Sequence, residues 1–239
     1  MLRSFFFFLK LSLYWLLFFT LYKIAFILIY PGKIPDGKFS EAMMSFVYGL
    51  RLDASTIACL IAIPLILWSL QQFFKKNFFN RFHHYYNLAL ITLTTVLFIS
   101  NIAMYGEWNA LINFNTLYYL LAPAKIFPYL TTLELAGVII GVVVVITLFV
   151  LLFRVMILMV LPYATSRLST KVIVISAAAP VVFLIMRGGW QQTPIDETFS
   201  CYSDTRFIDH VSINPVWHLG HTAFLGVEEI EKEEQEKQK

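Results

Sequence analysis

Cysteine and charge are both scarce in this chain, and each shortage excludes something. Two cysteines, Cys59 and Cys201, stand in 239 residues, too few for a disulfide framework. Charged residues make up 14%, against about 25% in soluble domains, so the composition is that of a membrane protein. The basic residues are few and sit at the rims of apolar segments, which excludes a nucleic-acid-binding footprint. There is no glycine-rich phosphate loop, no nucleophile elbow and no His-Glu-x-x-His pattern. No catalytic residue and no metal-ligand set can therefore be assigned. The first apolar run has no small-residue cleavage site and continues to Tyr30. That is longer than the roughly 7–15 residues of a signal-peptide core, so the run reads as an uncleaved anchor. No internal repeat is visible.

What is present is hydrophobic. Apolar residues make up 59% of the chain, and phenylalanine alone occurs 23 times. About 20 mostly apolar residues cross a bilayer as a helix, and five segments satisfy this: Leu11–Tyr30, Ala54–Phe74, Asn87–Met104, Leu135–Leu152 and Val172–Met186. The expected fold is all-α and polytopic, with five transmembrane helices. The loops fix an orientation. Lys75, Lys76 and Arg81 fill the second connection, and Arg154, Arg167 and Lys171 the fourth, with no acid among them; Arg3 and Lys10 flank the start. Cationic loops stay in the cytoplasm, which predicts an inside N-terminus and an outside C-terminus. The expected division is a membrane domain over 1–187, an extracytoplasmic linker over 188–227 and a charged low-complexity tail over 228–239.

Several side chains invite a role. An ionised group at membrane depth costs roughly 2.5–3.5 kcal/mol even on permissive scales, so Arg51 and Asp53 need partners. Two apart on a helix, they point in nearly opposite directions, and each must look to another segment. The topology predicts that Arg51, Asp53, Glu107, Lys125 and Arg187 gather at the outer surface. Two readings stay open: a structural charge network, or cations holding a phospholipid headgroup phosphate, for which arginine suits bidentate contact. Lys10, Lys23 and Arg154 lie near span ends, where long stems snorkel to the interface. Cys59 reads as a buried thiol, Pro64 and Pro180 as kinks tolerated within spans, and Gly137 with Gly141 as a small-residue pair permitting close helix contact. Glu107–Lys125, with Trp108, Tyr118, Tyr119, Asn109, Asn113 and Asn115, reads as an interfacial element. Gly188 and Gly189 let the chain leave the last span with positive φ. His210, His218 and His221 cluster in sequence near Cys201, Asp204 and Asp209, without the tight spacing of a zinc site.

Four stretches together carry a resemblance: GLRLDAS at Gly49–Ser55, NIAMYGEWNALINFNT beginning at Asn101, RGGWQQTPI at Arg187–Ile195, and SINPVW at Ser212–Trp217. In their order and placement they resemble the membrane part of the lipoteichoic-acid-synthase-like family, bacterial phosphoglycerol transferases and sulfatase-like proteins of the alkaline phosphatase superfamily, the Bacteroidetes-type members above all. The resemblance implies five membrane helices, a linker, and a large extracytoplasmic catalytic domain with a divalent metal, usually manganese, and a threonine nucleophile. About 20 residues follow Trp217, far fewer than the roughly 50–250 of a domain. The metal and nucleophile are thus expected outside this chain, and Thr193, Thr198 and Thr205 are not assigned as nucleophiles. Arg51, Asp53, Arg187, Gly188, Gly189 and Asn214 carry over only as motif positions. The implied role is anchoring and lipid presentation to a catalytic domain or partner protein, with membrane lipids, including anionic phospholipid, as the small-molecule partners. The rival reading is a non-enzymatic membrane scaffold or assembly protein.

Overall fold

The computed structural model describes residues 2–74, 77–116, 132–157, 161–163 and 167–237, with the side chains of 132–138 and 227–237 left aside. The helices are α1 (Leu2–Ile29), α2 (Phe39–Tyr48), α3 (Leu50–Phe73), α4 (Asn77–Trp108), α5 (Thr132–Met156), α6 (Leu168–Met186), α7 (Arg206–Ser212) and α8 (Pro215–Lys237), with 3-10 turns at Pro31–Lys33 and Glu197–Ser200. No strand occurs among the described residues. Five stretches are long and apolar enough to cross a membrane: Leu2–Ile29, Phe39–Phe73, Asn77–Trp108, Ile139–Met156 and Leu168–Met186. The chain is an all-α polytopic membrane protein.

The bundle is built around α1. Phe7, Leu11, Tyr14, Trp15, Phe18, Phe19, Tyr22, Lys23, Phe26 and Ile27 are its buried positions below Ser4, a stripe of three- and four-residue steps on one helix face. Helices α3 and α5 pack on it, and α7 covers its C-terminal end. Aromatic rings fill the seams. Tyr22 lies 4.1 Å from Phe98 of α4, and Phe26 lies 4.8 Å from Tyr105 and 5.2 Å from Phe207 of α7. In lipid the hydrophobic effect does not drive helices together, so close packing and interhelical hydrogen bonds must. Tyr14 donates to the Phe149 carbonyl at 3.1 Å, Tyr86 to Leu60 at 3.0 Å and Trp68 Nε1 to Pro162 at 2.9 Å.

Several expectations change here. α1 starts nine residues earlier than the span read from hydropathy, and at 28 residues it is about 42 Å long. Cys59 is exposed on α3, not buried, because it falls on the outward face of that helix. A Cβ at Gly141 would meet nothing within 4 Å, so no described helix approaches that position closely; Gly137 lies outside the described side chains, as do Lys125, Tyr118 and Tyr119. Pro64 and Pro180 both sit within continuous helices. The stretch expected as a linker packs onto the bundle: Ile195, Phe207, Val211 and Ile213 belong to the same core as α1. Helix α8 runs unbroken across the expected boundary at residue 227.

Candidate functional site

The polar residues gather at the end of the bundle where α1 finishes, the Tyr30 end. Lys23 occupies the inward stripe of α1 between Phe19 and Phe26, so its side chain enters the bundle instead of reaching for an interface. It is 1% exposed. Its Nζ lies 2.6 Å from Asp53 Oδ2. Asp53 stands in the first turn of α3, where the helix dipole favours an anion, and it too is buried. Its other oxygen accepts a hydrogen bond from Asn214 Nδ2 at 2.8 Å. Asn214 Oδ1 in turn accepts from Val216 N at 3.0 Å, capping α8, with Pro215 at the first helical position, where its missing N–H costs nothing. One asparagine thus caps α8 and ties it to an ion pair inside the bundle.

Gly49 makes this possible by lacking a side chain. Its φ of −77° is ordinary. A Cβ there, however, would collide with the Ser212 carbonyl and with Lys23 Nζ. The α2–α3 junction can therefore press against the C-terminal end of α7. Ser212 Oγ donates to the Ser200 carbonyl at 2.6 Å, and Tyr202 stacks on Tyr48 at 4.1 Å. Asp209 Oδ1 accepts from the backbone N–H groups of Tyr202 and Ser203 at 2.9 and 3.0 Å. The segment 195–217 is in this way a tied-down cap, referred to below as the cap.

Helix α6 ends on a motif that needs both of its glycines. Gly188 N bonds to the Ile185 carbonyl and Gly189 N to that of Leu184, at 3.0 and 2.9 Å, the paired bonds of a Schellman ending. Gly188 has φ of +82° and Gly189 of +127°. Arg51 Nε donates to the Gly188 carbonyl at 2.8 Å, and its guanidinium lies 4.5 Å from the Phe199 ring centre. Arg187 donates to the Gln192 carbonyl. Both arginines brace the turn, and neither reaches Asp53. A small pocket of about 240 Å³ opens between Arg51, Ala54, Leu184, Ile185, Gly188 and Gly189.

The structure thus divides the expected charge cluster. Asp53 pairs with Lys23, and Arg51 and Arg187 serve the α6 ending. Glu107 is exposed and makes no ion pair with a described residue. Lys125 lies outside the described residues. Lys23 is the clearest correction: it does not snorkel, because Asp53, the only buried acid among the described residues, stands opposite it. Sequence reasoning also missed Asn101, which donates to Tyr22 Oη at 2.6 Å and accepts from Ile112 N at 2.8 Å, so it fastens the 111–113 loop to α1.

The histidines take structural partners. Tyr105 Oη and His210 Nδ1 are 2.8 Å apart. Burial, reinforced by the nearby Arg206 and His218, pushes His210 down to about 4. Glu197 Oε1 lies 2.5 Å from His218 Nδ1 and 3.9 Å from His221 Nδ1. Among the described residues no group of three His, Cys, Asp or Glu side chains is placed to hold a metal ion. The described residues thus do not fit the manganese site of the resembled family.

Compared with protein-family models, with curated proteins and with solved structures, the chain matches none. Four stretches distant in sequence contribute to this one end: Gly49, Arg51 and Asp53; Asn101 and Tyr105; Arg187 to Ile195; and Ser212 to Asn214.

Proposed function

We propose that this chain is a membrane mount that holds an extracytoplasmic phosphoglycerol-transferase or sulfatase-type body in a fixed pose at the outer face of a bacterial inner membrane. The observation that carries the reading is the Lys23–Asp53–Asn214 connection. A flexible tether would let an attached domain wander. Here the residue that starts α8 is hydrogen-bonded into the bundle, so whatever α8 leads to or docks against inherits the bundle's orientation. The cations at the opposite end support an inside N-terminus and hence an outside cap. The small pocket beside Arg51 supports a lipid-presenting role, since its lining joins that cation to the apolar side chains of Ala54, Leu184 and Ile185. The implied chemistry is transfer or hydrolysis of a phosphate or sulfate ester, with a metal and a threonine nucleophile supplied by that body and not by these residues.

Two measurements test the reading. A membrane-impermeant maleimide applied to intact cells should label Cys201 in a Cys59→Ser background; labelling only after permeabilisation overturns the orientation. Isolation of the polypeptide from its native membrane should recover it joined to, or in complex with, a metal-dependent ester hydrolase or transferase. Recovery at 27.6 kDa with no such activity in the complex favours the rival scaffold instead. For lipid presentation, Arg51→Ala and Arg187→Ala should weaken headgroup affinity in folded protein; unchanged affinity removes that part.

A further inference from the structure

At the opposite end, where α1 begins, the structure contains a second feature that the mount reading does not use. A cleft of about 640 Å³ opens there between α1, the end of α3, the start of α4 and the segment after α5. Arg3, Phe6, Phe7 and Lys10 form its α1 wall. They are spaced i, i+3, i+4 and i+7, so they make a single track on one helix face. The two cations stand about 10.5 Å apart along that track, with two phenylalanine rings between them. Ile157 and Leu161 supply apolar surface across the cleft.

Its remaining walls carry the polar groups of Gln71, Asn80 and Tyr163. Tyr163 is held by Lys171 Nζ, 3.1 Å from its hydroxyl, and Lys171 is itself buried. Gln71 Nε2 donates to Asn80 Oδ1 at 3.1 Å, and Asn80 Oδ1 also accepts from Leu161 N at 3.1 Å. The second bond fixes Asn80 Oδ1 as an acceptor, so Gln71 must present its N–H₂ group to it. Gln71 Oε1 is thereby left without a donor. An adjoining open groove shares Asn80 and adds Arg81 and Arg154. Among the described residues this end has no Asp or Glu, and neither Arg3 nor Lys10 has an ion-pair partner.

We infer that this cleft is a binding site for an anionic phospholipid, the phosphate held between the Arg3 and Lys10 cations and an acyl chain laid along Phe6, Phe7 and Ile157. Uncompensated cations at a membrane rim attract acidic lipid at about fivefold in affinity for each Lys or Arg near the surface. An apolar track between two cations selects an amphiphile over a free anion. The inference is independent of which leaflet faces this end.

The test is native mass spectrometry of the full chain in detergent, titrated with dioleoylphosphatidic acid, dioleoylphosphatidylcholine or inorganic phosphate. The wild type should bind the phosphatidic acid clearly more tightly than the phosphatidylcholine, and inorganic phosphate should not displace it. The Arg3→Gln/Lys10→Gln double variant should bind phosphatidic acid roughly 25-fold more weakly, and each single variant about fivefold. Arg206→Gln, at the other end, should bind as the wild type does, as should the charge-preserving Arg3→Lys/Lys10→Arg. Equal affinity of the wild type for the two lipids overturns the inference without recourse to any variant. So does undiminished binding by a folded single or double variant. Displacement by inorganic phosphate at equal affinity makes this a phosphate site and overturns the lipid assignment.

Discussion

Helices α1 and α6 are equally plausible as membrane spans, with mean hydropathies of 1.9 and 2.1 over their most apolar windows. Their situations in the bundle differ widely. In α1, 44% of that window is buried inside the protein, against 6% in α6. α5 is more apolar than either, at 2.9, and is equally uncovered. Hydropathy thus measures fitness for lipid and says nothing of centrality. What draws α1 inward is its minority of groups that lipid cannot satisfy, Tyr14, Tyr22 and Lys23, together with large rings that interlock. α6 carries one buried residue, Lys171, at its start and leans on α3 with one side, leaving its other side to acyl chains.

The contrast can be broken most directly at its charged centre. Lys23→Ala or Asp53→Ala leaves an uncompensated charge inside the bundle, a loss of roughly 3–5 kcal/mol. Thermal unfolding in detergent should show a large drop for each single variant, while Lys23→Met/Asp53→Leu should recover much of it. A single variant that melts with the wild type would remove the ion pair from the account.

Glycine substitutions sharpen the comparison. Gly49→Ala forces a methyl group against a backbone carbonyl and an ammonium, and such overpacking costs about 1–3 kcal/mol. Gly141→Ala, on the uncovered α5, should stay within about 0.5 kcal/mol of the wild type. Equal effects at the two positions would show that the two regions are not packed differently.

Asn214→Leu removes both the α8 cap and the second bond to Asp53. A lost buried hydrogen bond that orphans its partner costs about 1–3 kcal/mol. The effect should be local, raising hydrogen exchange over 195–217 with α1 and α3 little changed. Unaltered exchange in the cap would contradict the connection on which the mount reading depends.

The last expected effect is that of pH. Because His210 is held near 4 in the folded cap against about 6.5 when unfolded, the unfolded state takes up the proton first. Cap stability should be constant above about pH 6.5 and decline as pH falls toward 4. His210→Gln should flatten that slope. A slope of unchanged size in the variant would assign the dependence to other groups.

Some of the Tyr30 end was legible from residue order. The Gly188-Gly189 pair announced a left-handed helix ending, and both residues take it. The need of Asp53 for a partner on another segment was legible too, from the cost of an ion at depth. Its identity was not, because Lys23 resembled any lysine near a span end until the facing of α1 was known. The cap was read as a linker for a similar reason. Phe207, Val211 and Ile213 are few and scattered among polar residues, and only the meeting of Phe207 with Phe26 in the shared core gives them one to join.

The order of residues determined that five stretches can cross a bilayer, where the cations lie, and where helices must end. These follow from transfer free energies and backbone preferences, which act on a residue and its near neighbours. Tertiary structure decided that α1 is central, that Lys23 neutralises Asp53 thirty residues away, and that Asn214 joins them from 161 residues beyond Asp53. Such pairings depend on which helix faces meet, and in a lipid solvent that is settled by ring packing and by the few polar groups with nowhere else to bond.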